Sequence, residues 1–131
     1  MLDLLNYGIS ETTVKEMIER EPSINELSSD EINEKIYFLE RLGLDKNEVI
    51  NVISSNPEFF GRTNKDIGNI LEKIVSLGFI RLDFILDANP YILNLDPFEI
   101  DNYINKRISN GETKEDIIID LEENPYLFSE V

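Results

Sequence analysis

The chain has 131 residues, 41% of them hydrophobic, and a formal net charge of −15 from 27 acidic and 12 basic side chains. This length and apolar content predict one folded domain with its own core and argue against a disordered chain. There is no cysteine and no histidine, which excludes disulfides, thiolate metal sites and histidine-based catalysis. The acidic balance disfavours binding to nucleic acids and to anionic membranes.

No apolar run approaches the roughly 20 residues that a membrane helix needs. The N-terminal stretch MLDLLNYG carries Asp3 where a secretory signal would carry positive charge. With no signal, transit or transmembrane segment recognised, the sequence predicts a cytoplasmic protein that has no membrane partner.

Glycines and prolines recur along the chain in a fixed register. Each of four prolines follows a glycine by 14 residues, or by 12 in the third copy, and the next glycine follows each of the first three prolines by 21 residues. The period is therefore 35 residues, with a two-residue deletion in the third copy. Because both residues break helices, this register marks helix ends. The glycines, which set the repeat boundaries, are Gly8, Gly43, Gly78 and Gly111; the prolines are Pro22, Pro57, Pro90 and Pro125.

In chain order, each copy predicts a short helix from glycine to proline, a tight turn, and a long helix that ends at the next glycine. Apolar residues eight and four positions before each proline form one helical stripe. They are Val14 and Ile18, Val49 and Ile53, Leu82 and Leu86, and Ile117 and Leu121. The turns after the prolines bring in apolar anchors, among them Phe59 and Phe60.

The long helices begin with capping boxes at Ser28, Thr63 and Asp96. Their buried positions are predicted at Ile32, Ile36 and Leu39, then at Ile67, Leu71 and Ile74, and in the third copy at Ile100 and Ile104. There Arg107 occupies the last apolar position, so Ile108 is expected to make that contact instead. The whole pattern predicts an all-α fold, a curved α-solenoid of about 35-residue repeats with seven main helices, in which residues 1–131 form a single domain.

The punctuation of the repeat has a known counterpart. Leu-Gly stands at 42–43 and 77–78, and Asn-Pro at 56–57, 89–90 and 124–125. This combination resembles the mitochondrial transcription termination factor (mTERF) family over nearly the whole chain. The resemblance implies a curved superhelix whose basic groove contacts nucleic acid, and a role in transcription.

The acidic residues suggest a different partner. The largest cluster falls on the last short helix and comprises Glu112, Glu115, Asp116, Asp120, Glu122 and Glu123. We predict that this cluster, together with Tyr91 and Tyr126, binds a protein with a basic surface. Two alternatives remain: the cluster is the solvated surface of a terminal repeat, or it imitates a phosphate backbone and inhibits a DNA-binding protein.

Nucleic-acid contact, if the chain makes any, is predicted to centre on its near-neutral middle repeat. The basic residues in or just after this repeat are Lys46, Arg62, Lys65, Lys73 and Arg81. No glycine-rich phosphate loop, nucleophile elbow or metal-ligand spacing occurs in the sequence. We therefore expect a non-enzymatic protein without metal or cofactor.

Overall fold

The computed structural model describes the whole chain, Met1–Val131. Its α-helices are α1 (Leu2–Tyr7), α2 (Glu11–Arg20), α3 (Ser29–Glu40), α4 (Lys46–Ser55), α5 (Asn64–Ser76), α6 (Leu82–Ala88), α7 (Pro97–Ser109) and α8 (Lys114–Glu123). Four 3₁₀ turns follow the short helices, at Pro22–Glu26, Pro57–Gly61, Pro90–Asn94 and Pro125–Glu130. The predicted all-α repeat fold is confirmed, with α2 to α8 as the seven main helices.

The chain divides into two compact units, Met1–Asn64 and Lys65–Val131. In the first unit, α4 contacts α2 and α3, and the first two 3₁₀ turns contact each other. In the second unit, α7 contacts α8, and α6 contacts the 3₁₀ turns that follow α6 and α8. The assignment of residues 1–131 to a single domain stays a prediction.

Helix ends lie where the glycines, prolines and capping residues place them. The four boundary glycines have φ angles of 113°, 94°, 84° and 99°, a left-handed conformation that favours glycine. At the start of α3, the Ser28 hydroxyl accepts from the Glu31 N–H at 3.2 Å, and the Glu31 carboxylate accepts from the Ser28 N–H at 3.1 Å. Asp45 and Glu48 form the same reciprocal pair at α4.

The buried positions predicted for the long helices are buried with one exception, and in the stripe of the short helices Ile18 and Leu82 are only partly buried. Ile32, Leu39, Ile74 and Ile100 are each at most 1% exposed. Ile108, however, is 41% exposed, so the prediction that it replaces the last contact of the third long helix was wrong. Helix geometry explains the error, because a residue one position along lies about 100° further around the helix.

The Asn89–Pro90 pair has a structural role. The Asn89 side chain accepts from the Tyr91 N–H at 3.3 Å and so supports the 3₁₀ turn that follows. Its amide donates to the Pro125 carbonyl at 2.9 Å and to the Ser129 hydroxyl at 3.0 Å. One buried side chain therefore joins two consecutive repeats, which gives this asparagine a structural reason to precede the proline.

A glycine inside α5 gives a test of the helix assignment. A Cβ added at Gly68 meets nothing within 4 Å, whereas Gly78 has a φ of 84°. Gly68→Ala should therefore raise the free energy of unfolding by about 0.5–1 kcal/mol. Gly78→Ala, the matched control, should lower it because alanine disfavours positive φ. Urea denaturation measures both, and a destabilised Gly68→Ala would contradict the helical environment of residue 68.

Candidate protein-binding surface

The predicted acidic cluster lies on and just before α8, where the structure separates it into two groups. Thr113 caps α8 by accepting from the Asp116 N–H at 3.2 Å. Ile117 and Leu121, both 0% exposed, fix the helix on the core. This orientation leaves Glu115 and Asp116 exposed in the first turn of α8, where negative side chains are favourable.

Arg107 of α7 holds two members of the cluster. Its guanidinium donates to both carboxylate oxygens of Glu112, at 2.8 and 2.6 Å, and to Asp120 at 2.8 Å. It also lies 5.6 Å from the centre of the Tyr103 ring. The hydrogen bonds that Arg107 donates, above all those to Glu112, raise the pKa of Arg107, and they lower the pKa of Glu112. Glu112 and Asp120 therefore stabilise the packing of α8 and the residues just before it against α7.

Glu122 is used internally as well. Its carboxylate accepts from the Ile80 backbone N–H at 3.3 Å, which ties the chain between α5 and α6 to α8. Glu123, by contrast, is exposed. Of the six predicted residues, Glu115, Asp116 and Glu123 are exposed and are held neither by Arg107 nor by the Ile80 N–H.

The two predicted tyrosines lie on the surface of the second unit. Tyr91 is 48% exposed and Tyr126 is 63% exposed. Each follows the proline of its repeat, whereas the same position holds Ser23 and Glu58 in the first unit. Exposed tyrosines are frequent in protein interfaces.

The five predicted basic residues belong to different units and have different surroundings. In the first unit, the Lys46 ammonium lies 5.5 Å from the centre of the Tyr7 ring, and Arg62 is half-buried. In the second unit, Lys65 is exposed, Lys73 pairs with Asp101 at 2.9 Å, and Arg81 pairs with Asp83 at 3.6 Å. Lys73 and Arg81 are therefore partly neutralised by neighbouring carboxylates.

The net charge is negative in both units. The first unit holds 13 acidic and 6 basic residues, and the second holds 14 and 6. Long-range attraction of a polyanion requires an excess of positive charge, which neither unit has.

Sequence reasoning missed Lys35 of α3. This side chain is only 5% exposed, and its ammonium donates to the Arg62 carbonyl at 2.6 Å and to the Asn64 amide oxygen at 3.1 Å. Burial lowers the pKa of Lys35. The signal was in the repeat, because the matching positions, eight residues before the boundary glycine, hold Ile70 and Tyr103.

Sequence reasoning also missed an apolar pocket beside the acidic residues of α8. It has a volume of about 420 Å³ and is lined by Leu77, Lys114, Glu115, Ile118 and Ile119. Among the lining residues, Ile119 is 55% exposed; outside the pocket, Ile80, near Glu122, is 87% exposed. We call the pocket formed by these five lining residues the Leu77 pocket.

Alternating short and long helices, which bury apolar residues within each unit and expose charged ones, define an all-α helical-repeat protein. The chain belongs to the mTERF family, whose model matches residues 3–86, from α1 into α6. The comparison with curated proteins gives no match. None of the helices combines the length and the apolar character that crossing a membrane requires.

Proposed function

We propose that this protein is a non-enzymatic interaction module whose α8 surface binds a protein partner that carries basic side chains. The observation that carries the proposal is the placement of Glu115, Asp116 and Glu123, three exposed carboxylates on one ten-residue helix. Apart from Lys114, the base nearest to them in the chain is Arg107, which is already bound by Glu112 and Asp120. With Lys114 counted against these three carboxylates, the exposed charge of α8 is still negative.

The resemblance to mTERF proteins implies nucleic-acid binding, and the charges in this chain favour a protein instead. Neither unit has an excess of bases. Of the basic residues predicted for nucleic-acid contact, Lys73 and Arg81 already pair with carboxylates. A phosphate backbone would have to displace these carboxylates and also approach a chain with a net charge of −15.

Neutralising the exposed carboxylates of α8 tests the proposal. The variant Glu115→Gln/Asp116→Asn/Glu123→Gln should weaken binding to a basic partner about tenfold at low salt, since each rim charge contributes roughly 0.5 kcal/mol. The matched control, Glu34→Gln/Glu40→Gln/Glu72→Gln, removes the same charge from other exposed positions and should weaken it less. The measurement is affinity capture at low and high salt, followed by titration of the recovered proteins.

Direct binding assays with purified protein separate the alternatives. We expect no binding to labelled duplex DNA or single-stranded RNA in fluorescence anisotropy. Nucleic-acid binding by the wild-type protein, lost with Lys65→Ala, would overturn the proposal in favour of the family's activity. Capture of a DNA-binding protein that DNA then displaces would make the α8 surface an imitation of the phosphate backbone. Equal weakening by the two triple variants would show that total charge, and not α8, determines binding.

A further inference from the structure

The Leu77 pocket is an open apolar depression at the end of α5. Leu77 contributes one side, and Ile118 and Ile119 of α8 contribute another. Exposed apolar groups gathered in a concave site mark sites of interaction more often than scattered ones do.

The first unit has a counterpart of this pocket, at matching positions of the repeat. The residue before the first boundary glycine of each unit is Tyr7 in the first unit and Leu77 in the second. In α4, Lys46 and Ile50 lie eleven and seven residues before Pro57. In α8, Lys114 and Ile118 lie at the same distances before Pro125. The same three positions therefore meet in both units.

In the first unit an aromatic ring occupies this position. The Tyr7 hydroxyl is buried, and the Lys46 ammonium lies 5.5 Å from the ring centre. Lys46 also lies against Gly8, since a Cβ added there would be 3.2 Å from its Cε atom. A leucine in place of Tyr7 lacks the ring, which explains why the second unit has an open pocket at Leu77.

The charges around the pocket indicate what enters it. Glu115 lines the pocket, and Asp116 and Glu123 are exposed on the same helix. Lys114 is the one base among the lining residues. A second copy of this chain is a poor occupant because both copies carry −15. An apolar side chain from a basic segment satisfies both the pocket and its surroundings.

We infer that the Leu77 pocket receives one bulky apolar side chain from a basic segment of the protein partner. This inference rests on the proposed function, and it says which contact provides most of the affinity for the partner. The carboxylates attract and orient the segment, while the pocket buries its anchor residue, as is usual for the few residues that dominate an interface.

Synthetic peptides test this assignment. The first probe is an 18-residue helical peptide with lysines on one face and a single phenylalanine at the centre of the other, and the second probe replaces that phenylalanine by alanine. Anisotropy titrations at low salt should show the first probe binding the wild-type protein at least tenfold more tightly. Leu77→Tyr, which copies the residue found in the first unit, should remove that difference.

Two further variants control for folding and for general apolarity. Ile119→Ser changes an exposed pocket residue and should also reduce the preference for phenylalanine, whereas Ile108→Ser, at an exposed apolar site of α7, should retain it. Circular dichroism confirms that each variant is folded. Equal binding of the two probes, still weakened by the neutralised α8 variant, would overturn the pocket and leave the proposed function in place. Absence of binding by both probes at low salt would overturn both.

Discussion

Arg107→Leu should lower the free energy of unfolding by about 1–2 kcal/mol, because it removes charge-assisted hydrogen bonds at a half-buried position. The Arg107 side chain is 19% exposed and the Asp120 side chain 37%. Leucine at position 107 matches the apolar residues that the other long helices have at this position, but it leaves the Asp120 carboxylate without its cation. Urea denaturation followed by circular dichroism measures the loss.

The double variant Arg107→Leu/Asp120→Ile should recover most of this stability. The matching positions hold Leu39 and Val52, or Ile74 and Ile85, in the other repeats, so the ion pair takes the place of an apolar pair. Replacing both members of a pair by apolar residues is often neutral or stabilising, whereas replacing one is not. Losses that simply add in the double variant would show that the two residues are not coupled.

The ion pair between Lys73 and Asp101 provides the matched control. Its side chains are 25% and 48% exposed, so Lys73→Leu should cost less than Arg107→Leu, about 0.5 kcal/mol or below. A cost as large as that of Arg107→Leu would mean that the position of Arg107 in the repeat has no special importance.

The Arg107 interaction also has a pH dependence. Arg107 holds the pKa of Glu112 below its ordinary value, so the folded state binds this proton less tightly than the unfolded state. The contribution of the Arg107–Glu112 pair to the free energy of unfolding is present in full above the ordinary glutamate pKa. It is lost as the pH falls through the lowered pKa of the folded state. The stability difference between wild type and Arg107→Leu should therefore narrow in acid.

Lys35→Ala should destabilise the protein by about 2–3 kcal/mol, because it removes a buried side chain and leaves the Arg62 carbonyl without this donor. Lys35→Met retains the length of the side chain but not the ammonium and should cost about 1–2 kcal/mol. Lys65→Met is the control, since Lys65 is exposed, and should be close to neutral. A neutral Lys35→Met would show that the hydrogen bonds to Arg62 and Asn64 contribute nothing net.

Lys35 adds a second pH dependence with the opposite direction. Burial lowers its pKa in the folded state, so the unfolded state binds the proton more tightly. The free-energy cost of burying the charged ammonium applies in full below the lowered pKa of the folded state. It disappears as the pH rises to the ordinary lysine pKa. Wild type should therefore gain stability relative to Lys35→Met across that alkaline interval.

The sequence was sufficient to predict every main helix because glycine and proline act locally. The φ angles at Gly43 and Gly78 and the 3₁₀ turns after the prolines depend on single residues and their immediate neighbours. Capping by Ser28 and Asp45 has the same local origin. The helix ends could therefore be predicted from residues that lie within a few positions of one another in the sequence.

The candidate surface was harder to predict because it depends on contacts between helices. The acids of α8 formed one cluster in the sequence, yet Arg107 removes Glu112 and Asp120 from it. The Leu77 pocket brings together residues about 40 positions apart in the chain, and apolar spacing within one helix does not report such a meeting. Comparison of the repeats shows Arg107 and Asp120 at positions that are apolar in the other copies, but only the structure shows that these two residues pair.

The hydrogen bond from Ile80 to Glu122 has a consequence for how the second unit unfolds. Ile80 occupies the position at which Ser10, Asp45 and Thr113 cap the other short helices, and α6 has no side-chain cap from its own N-cap residue, Arg81. A carboxylate of α8 binds the chain just ahead of α6 instead. The start of α6 is therefore held by the next repeat, and we expect α6 and α8 to lose their structure in one cooperative step.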